Sequence, residues 1–500
     1  MNALKRLAVL LCTLAVAANA QAKKPVSNVI IPQPVEIQML AGSCRADAVP
    51  VVNIVENFEY GAEGYVLEIT SRGIKITAGT AAGEFYARQS LEQLRYGAKR
   101  IPAQRIIDYP RLPWRGVLLD VSRHFRSKEF VKKQLLAMAA FKINRFHFHL
   151  VDGAGWRIQL DKYPLLTQIS AWRPAEYYYD WLEKENHTYC TRNREGAYGG
   201  YYTKDDLREI VAFADSLHIT VIPEIEMFGH STEVMAVYPQ LGCCGSEFVI
   251  DDKGRVEQGK AVYCLGKEAS FEFLQDVIDE VLEIFPSEYI HIGGDEANKR
   301  HWKACPDCQR RIADLGLKDE DELQSYGIAR MEKYINGKGR KIIGWDEILE
   351  GGLAPNAAVM SWRGEEGGRA AAASGHKVVM TPEEWCYIDR CQGNPEVDSV
   401  GFHGLLSIEK MYSYDPAPAD MPGREYVMGV QANLWTEMVM RDNHCEHMLY
   451  PRIFAIAEIG WTPQESRDYL KFEPRAIELS NRLRSAGYSV YDMSARDWPR

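Results

Sequence analysis

The stretch Tyr289-Ile290-His291-Ile292-Gly293-Gly294-Asp295-Glu296-Ala297-Asn298 decides how this chain is read. Its first four residues form a short apolar run of strand type. Two glycines follow, and then two carboxylates stand side by side. Glycine at a strand end lets the backbone turn and lets a ligand come close. Neighbouring carboxylates repel, so at least one is expected to hold its proton above the ordinary range. A protonated carboxyl beside an ionised one is the equipment for general acid chemistry near neutral pH. A bare Asp-Glu pair is usually a solvated turn. The glycines, and the residues that follow other strand-like runs, give this one its weight.

Outward from that stretch, short apolar runs alternate with longer helical ones. Gly116–Asp120 precedes a helix over Lys128–Phe141, and Phe146–Leu150 follows. A helix over Thr203–Leu217 leads to the run Thr220–Ile225, and one over Ser270–Ile284 leads to Tyr289–Ile292. Later runs are Lys341–Trp345, Val359–Trp362, Lys377–Met380 and Val427–Gln431. About eight such repeats predict an α/β fold, a (β/α)8 TIM barrel whose strand ends face the active site. Ahead of the proline-rich boundary Tyr109–Trp114 lies a different pattern. Val51–Val55, Gly64–Ile69 and Gly73–Ala78 read as strands, and Ala81–Gly97 as a helix with Phe85, Leu91 and Leu94 on one face. The expected division is a signal peptide over 1–22, a small α+β domain over 23–112, the barrel over 113–480, and a C-terminal helix or tail over 481–500.

The bulk numbers bound the function. With 500 residues and 46% hydrophobic content the chain can bury one large core and a smaller one. A net charge of -10 and a pI near 5.8 argue against nucleic acid or an anionic membrane as the main partner. The start, Met1 to Arg6 followed by the apolar run Leu7–Ala18 and small residues to Ala22, has the form of an export signal cleaved after Ala20 or Ala22. The run is too short to span a membrane. The mature protein is therefore expected to be soluble and exported, to a periplasm or the medium, without an anchor. Of 11 cysteines, ten remain after cleavage. Export permits disulfides. Cys305-x-x-Cys308 and the vicinal Cys243-Cys244 are candidates for pairing. Cys305 and Cys308 could also be half of a zinc site, but no second Cys-x-x-Cys of suitable spacing exists, so no metal is expected.

Chemistry collects after the strand-like runs. In order come Asp120, Arg123 and His124; His147, His149 and Asp152; Glu224, Glu226 and His230; Asp295 and Glu296; Trp345 and Asp346; Trp362 and Arg363; Tyr387 and Asp389; and Asn433, Trp435 and Glu437. Carboxylates accept from hydroxyls and tryptophans stack on ring faces, so this set suits a polyhydroxylated substrate. No phosphate-binding glycine loop is present beyond Gly293-Gly294.

Five ordered motifs carry a resemblance. They are Trp114-Arg115-Gly116 with Asp120-Val121-Ser122-Arg123-His124-Phe125; His147-Phe148-His149-Leu150-Val151-Asp152 with Gly155-Trp156-Arg157; Val221 to Glu226 with Gly229-His230-Ser231; His291 to Ala297; and Gln431-Ala432-Asn433-Leu434-Trp435-Thr436-Glu437. Over residues 24 to about 480 the chain resembles the glycoside hydrolase family 20 β-N-acetylhexosaminidases. The resemblance implies an exo-acting retaining hydrolase of terminal N-acetylglucosamine or N-acetylgalactosamine, with no cofactor. In such enzymes the substrate's own 2-acetamido carbonyl attacks the anomeric carbon. Glu296 would then be the acid and base, and Asp295 would orient the acetamido group. Tyr387 would bond its carbonyl oxygen, while Trp345, Trp362 and Trp435 would wall the pocket. Arg123, Asp389 and Glu437 would hold the sugar hydroxyls. Asp152 and His230 resemble the pair that supports the acid.

Two positions depart from the family pattern. Gly153 stands where a second aspartate is usual, and Glu226-Met227-Phe228-Gly229-His230 where Asp-Met-Pro-Gly-His is. Both concern loop shape and aglycone preference. His147, His149, His124 and His291 are read as packing and hydrogen-bonding residues. Two alternatives remain open on the sequence. One is a metal-dependent hydrolase using His147, His149, Asp152 and His230. The other is a glycan-binding protein without catalysis.

Overall fold

The computed structural model describes residues 29–494 apart from 186, 244–253, 256–261, 396–397, 399–400 and 403. The signal expected over 1–22 lies outside the described residues, as does Cys244.

The first unit is a sheet of five strands: β1 (Glu36–Arg45), β2 (Val51–Ile54), β3 (Tyr65–Thr70), β4 (Gly73–Ala78) and β5 (Arg100–Asp108), in the order β1-β5-β3-β4-β2. Helix α1 (Ala81–Arg95) covers one face, burying Phe85, Tyr86 and Leu91, and its first turn is capped by the Thr80 hydroxyl. The sequence shows β2, β3, β4 and α1 but neither β1 nor β5. Strand β1 lies almost wholly exposed, so no alternation of apolar and polar residues marks it.

Eight parallel strands then close into a barrel: β6 (Trp114–Asp120), β7 (Arg145–His149), β8 (Thr220–Glu224), β9 (Tyr289–His291), β10 (Lys341–Trp345), β11 (Ala358–Ser361), β12 (Val378–Met380) and β13 (Val427–Leu434). Each pairs with the next, and β13 returns to β6, with Gln431 opposite Gly116. Helices connect them on the outside: α2 (Lys128–Ala140), α3 (Lys204–Asp215), α4 (Glu268–Leu282), α5 (Lys299–Ala304), α6 (Pro306–Leu315), α7 (Glu320–Gly337), α8 (Glu366–Ala373) and α9 (Arg452–Trp461). The eight strands are the eight runs expected from the sequence. Thr203 and Asp206 start α3 with a reciprocal capping box.

Alternation on each strand sorts side chains between two compartments. Trp114, Leu118, Ile222, Ile343, Trp345, Ala358, Met360 and Val379 fill the barrel interior as a cluster separate from the main core. On β7 the phenylalanines Phe146 and Phe148 join the outer core, and His147 and His149, which alternate with them, turn inward. His147 and His149 meet Glu224 of β8 there, and His291 of β9 reaches the same carboxylate at 3.0 Å. Trp345 Nε1 donates to Glu224 at 2.8 Å. These buried groups pack on one another around the Glu224 carboxylate beneath the barrel mouth, though His147 Nε2 and His291 Nε2 are left without a hydrogen-bond partner among the described residues.

The last helix, α10 (Tyr469–Ser485), runs across position 480, where a boundary was expected. It ties the two units together. Arg475 grips Glu458 of α9 with two bonds of 2.8 and 2.7 Å and donates to the Ile30 carbonyl, while Arg482 donates to the Gln93 carbonyl of α1. Among the described residues no helix is long and apolar enough to cross a membrane.

Candidate active site

The C-terminal ends of the barrel strands surround a cavity of about 230 Å³. Its lining includes Arg123, Asp152, His230, Asp295, Glu296, Trp345, Trp362, Tyr387, Asp389, Trp435 and Glu437. Every site residue expected from the sequence is therefore brought to one place. A larger hollow of 520 Å³ opens at the opposite rim, where Trp114, Arg145, Thr220 and Tyr289 begin their strands. In barrels of this kind chemistry sits at the other rim.

The loop after β9 builds the acid pair. Gly293 and Gly294 adopt φ of 61° and 97°, and Glu296 itself stands at 44°. A Cβ on Gly293 would lie 2.0 Å from the Glu226 carboxylate, so only glycine fits there. His230, after β8, also has positive φ, 45°. Left-handed backbone at non-glycine residues is strained and gathers at functional sites. Here two such residues face each other. His230 Nε2 lies 3.4 Å from Glu296 Oε2 and 3.5 Å from Asp295 Oδ2, and its Nδ1 lies 3.4 Å from Asp152 Oδ2. Asp152 in turn pairs with Arg123 at 2.7 Å. Arg123 also reaches Asp120 at 3.3 Å and Glu437 at 3.5 Å, so it is both a structural partner and part of the wall.

The aromatic side stands opposite. Trp362 and Tyr387 stack with centroids 6.1 Å apart at 22°, and Trp435 lies 5.8 Å from Trp345 and 6.3 Å from Tyr387. Tyr387 is pinned by a bridge to Asn433 of β13. Three buried carboxylate atoms at the cavity, Glu226 Oε2, Asp295 Oδ1 and Asp389 Oδ1, have no hydrogen-bond partner among the described residues. Unpartnered buried acceptors are costly and uncommon, and at a cavity wall they suit hydroxyl or amide donors of a ligand.

Within the acid pair, hydrogen bonding from His230 holds Glu296 below the usual range. Burial works against a charge on His230, but Asp152 and Asp295 outweigh it and hold His230 well above its ordinary value. Other carboxyls around the pair stand above their ordinary range. Burial, with Asp295 and Glu224 adding to it, pushes Glu226 well up. Burial and then Asp295 push Glu347 up to about 8, and burial and then Glu437 push Asp389 to about 8.

Sequence reading did not assign roles to several neighbours. Glu226 lines the cavity; its place at the end of β8, four residues before His230, was a usable signal. Glu347 accepts from Trp362 Nε1 at 2.9 Å and so sets the angle of that wall. Glu383, Arg390 and Phe402 complete the lining, and nothing in the sequence marks them. The zinc alternative needs His147, His149, Asp152 and His230 to share one centre. Among the described residues the histidine-carboxylate groups close enough for that are His147, Glu224 and His291, and His149, Glu224 and Glu226, so Asp152 and His230 belong to neither.

The comparisons agree with this geometry. The model of glycosyl hydrolase family 20, catalytic domain, matches residues 112–464, and that of the family's domain 2 matches 47–109. The chain belongs to glycosyl hydrolase family 20. Beta-hexosaminidase of Porphyromonas gingivalis is 44% identical over 86% of this chain and 54% of its own length. The chain thus spans about half of that relative. Beta-hexosaminidase of Akkermansia muciniphila is 31% identical over 90% of this chain and 89% of its own. Among solved structures of family 20, an exo beta-N-acetylglucosaminidase from Vibrio harveyi superposes with a TM-score of 0.82 at 28% identity, covering 96% of this chain and 80% of that one. The beta-N-acetylhexosaminidase of Bacteroides fragilis gives 0.78 at 27% identity, covering 92% and 96%.

Proposed function

We propose that this family 20 chain is an exo-acting, retaining β-N-acetylhexosaminidase. It removes terminal non-reducing N-acetylglucosamine or N-acetylgalactosamine from glycans by substrate-assisted catalysis. One observation carries the mechanism: Asp295 and Glu296 both meet the same nitrogen of His230, at 3.5 and 3.4 Å. They occupy one side of the cavity. Double displacement by two enzyme carboxylates needs them on opposite faces of the sugar. Neighbours on one loop cannot divide the acid and nucleophile roles between them, which fits attack by the substrate's acetamido carbonyl.

In that mechanism Trp345, Trp362, Trp435 and Tyr387 hold the acetamido group against the anomeric carbon, which lowers the barrier by proximity. Asp295 accepts from the acetamido N–H and stabilises the positive charge that develops as the ring closes. Tyr387 donates to the attacking carbonyl oxygen. Glu296 protonates the departing oxygen, then takes a proton from the water that opens the oxazolinium intermediate. Exclusion of water by the bound sugar disfavours the charged form of Glu296 and moves its pKa toward that of an acid. Arg123, Asp389 and Glu437 hold the hydroxyls. The names of the relatives support the same substrate class.

The test compares p-nitrophenyl N-acetyl-β-D-glucosaminide with the plain β-D-glucoside. Cleavage of the first alone supports the proposal, and equal cleavage of both contradicts it. Binding of the acetamido sugar without turnover would favour a glycan-binding protein. We also propose export, on the leader-like start; mature protein recovered outside the cytoplasm should begin after residue 20 or 22, and an intact Met1 there would refute cleavage.

A further inference from the structure

The Cys305-x-x-Cys308 pair and two cysteines that no recognisable spacing links to it come together behind the catalytic loops. The Sγ atoms of Cys243, Cys264, Cys305 and Cys308 all lie within 4.8 Å of one another. Cys243 to Cys308, Cys264 to Cys305 and Cys264 to Cys308 are each 3.6 Å. Cys264, Cys305 and Cys308 are buried, Cys243 is partly so, and none of the four is in a disulfide. The sequence suggested pairing within Cys305/Cys308 or between Cys243 and Cys244; the fold instead sets the first three-residue step against sulfurs from two distant segments.

The backbone is shaped around this group. Gly242 and Tyr263 form an antiparallel bridge, which lays Cys243 beside Cys264. The Cys264 N–H donates to the Leu241 carbonyl at 2.9 Å. Cys305 sits at the junction of α5 and α6, and Cys308 lies in the first turn of α6. Gly266 lets this turn press on the Cys305–Cys308 segment, since a Cβ there would stand 2.2 Å from the Asp307 carbonyl carbon.

We propose that these four cysteines form a tetrathiolate site for one Zn²⁺ ion, which clamps the loop after β8 to the loop after β9. Tetrahedral zinc with Zn–S bonds of about 2.3 Å separates its sulfurs by about 3.8 Å, and the three closest spacings are 3.6 Å. Cys264 stands at the same distance from two partners, as a shared ion requires and a single disulfide does not. Sulfurs this close leave room for one ion, not for an iron–sulfur cluster. Four thiolates around Zn²⁺ carry a net charge of two minus. Lys267, which donates to the Gly242 carbonyl at 2.8 Å, and Arg311, which donates to the Gly266 carbonyl at 3.2 Å, supply positive charge beside the site. The clamp reaches the catalytic loops through the backbone. Tyr263 N–H donates to the Phe228 carbonyl at 3.2 Å, and Trp302 Nε1 donates to the Tyr263 carbonyl at 2.9 Å. Phe228 lies two residues before His230, and Gly229 packs on the Asp295 carbonyl, where a Cβ would come within 2.8 Å.

The experiment uses untagged full-length chain purified under reducing conditions and equilibrated with equimolar Zn²⁺. Elemental analysis should return one zinc per chain, and the four thiols should resist a thiol reagent until the ion is stripped. Co²⁺ in its place should give the visible absorption of tetrahedral thiolate coordination. The double variant Cys264→Ser, Cys308→Ser should lose the ion, and Cys44→Ser should keep it. Should the double variant fail to fold, the stoichiometry and cobalt spectrum of the unaltered chain decide the matter. Disulfides joining these cysteines in the purified protein, four reactive thiols with no zinc retained, or zinc kept by the folded double variant would each overturn the site.

Discussion

Two of this molecule's clusters of buried charge are built by opposite rules. The lower one seals the small domain to the barrel. Asp108 accepts from Lys142 at 2.7 Å, Tyr65 at 2.5 Å, Trp461 at 2.7 Å and the Val35 N–H at 3.2 Å. Arg115 grips Glu63 with two bonds of 3.1 and 2.9 Å and lies over the Trp461 ring. Charge there is matched by hydrogen bonds on each side. The upper cluster leaves Asp295 Oδ1 and Asp389 Oδ1 unpartnered and holds Glu296 and His230 in left-handed backbone. Burial of charge alone therefore does not identify a site. Left-handed backbone does not separate them, since Lys142 of the lower cluster has φ of 59°. What separates them is incomplete hydrogen-bond satisfaction, which a structure tolerates where a ligand completes the set.

Variants can break that contrast. The largest effect belongs to Glu296→Gln. It should lower kcat/KM by about 10²–10⁴-fold, the ordinary worth of a positioned acid-base group, with Tm unchanged because the Glu296 side chain is 59% exposed. Steady-state kinetics beside a thermal melt check both halves. Next, Asp108→Ala should destabilise by about 3–5 kcal/mol, since Lys142 is left buried without its partner, while kcat per folded molecule stays level. A loss of kcat without a loss of stability would dissolve the distinction between the clusters. Asp295→Asn should cost about 10²–10³-fold in kcat, the scale of one group that stabilises transition-state charge. Trp362→Phe keeps a stacking ring but forfeits the bond to Glu347; a KM about fivefold higher is expected for about 1 kcal/mol.

The subtlest effect is on pH. His230 holds Glu296 below its ordinary pKa. The alkaline limb of kcat/KM falls as the acid loses its proton, so a depressed acid places that limb at lower pH. His230→Asn removes the depressing partner, raises the acid's pKa and should move the alkaline limb to higher pH. An unmoved or downward-shifted limb would separate His230 from the acid.

The same contrast explains what the sequence shows and what it hides. All eight barrel strands are visible because each is a short apolar run that ends in polar or aromatic residues, a pattern set by burial on both faces. The acid pair is visible because glycines and carboxylates adjoin on one loop. Strand β1 is hidden because most of it faces solvent, and β5 because Pro102 and the polar Gln104 and Arg105 interrupt its run. Glu347 is hidden because its importance lies in a bond to Trp362, fifteen positions away on another strand end. The cysteine group is the clearest case. Cys305-x-x-Cys308 is legible as half of a site, but positions 243 and 264 show no spacing that completes it, and only the packing of two loops brings the four sulfurs together. That Glu296 stands below its ordinary pKa is hidden for a related reason: the hydrogen bond from His230 comes from another loop.

Substrate-assisted attack is tested most directly by a series of substrates that carry zero, one, two or three fluorines on the acetamido methyl. Fluorine drains electron density from the carbonyl oxygen without changing the leaving group. If that oxygen is the nucleophile, kcat/KM falls steeply with each fluorine added. A rate indifferent to fluorine would mean that an enzyme group attacks instead, and that Asp295 and Glu296 do not work in the way proposed.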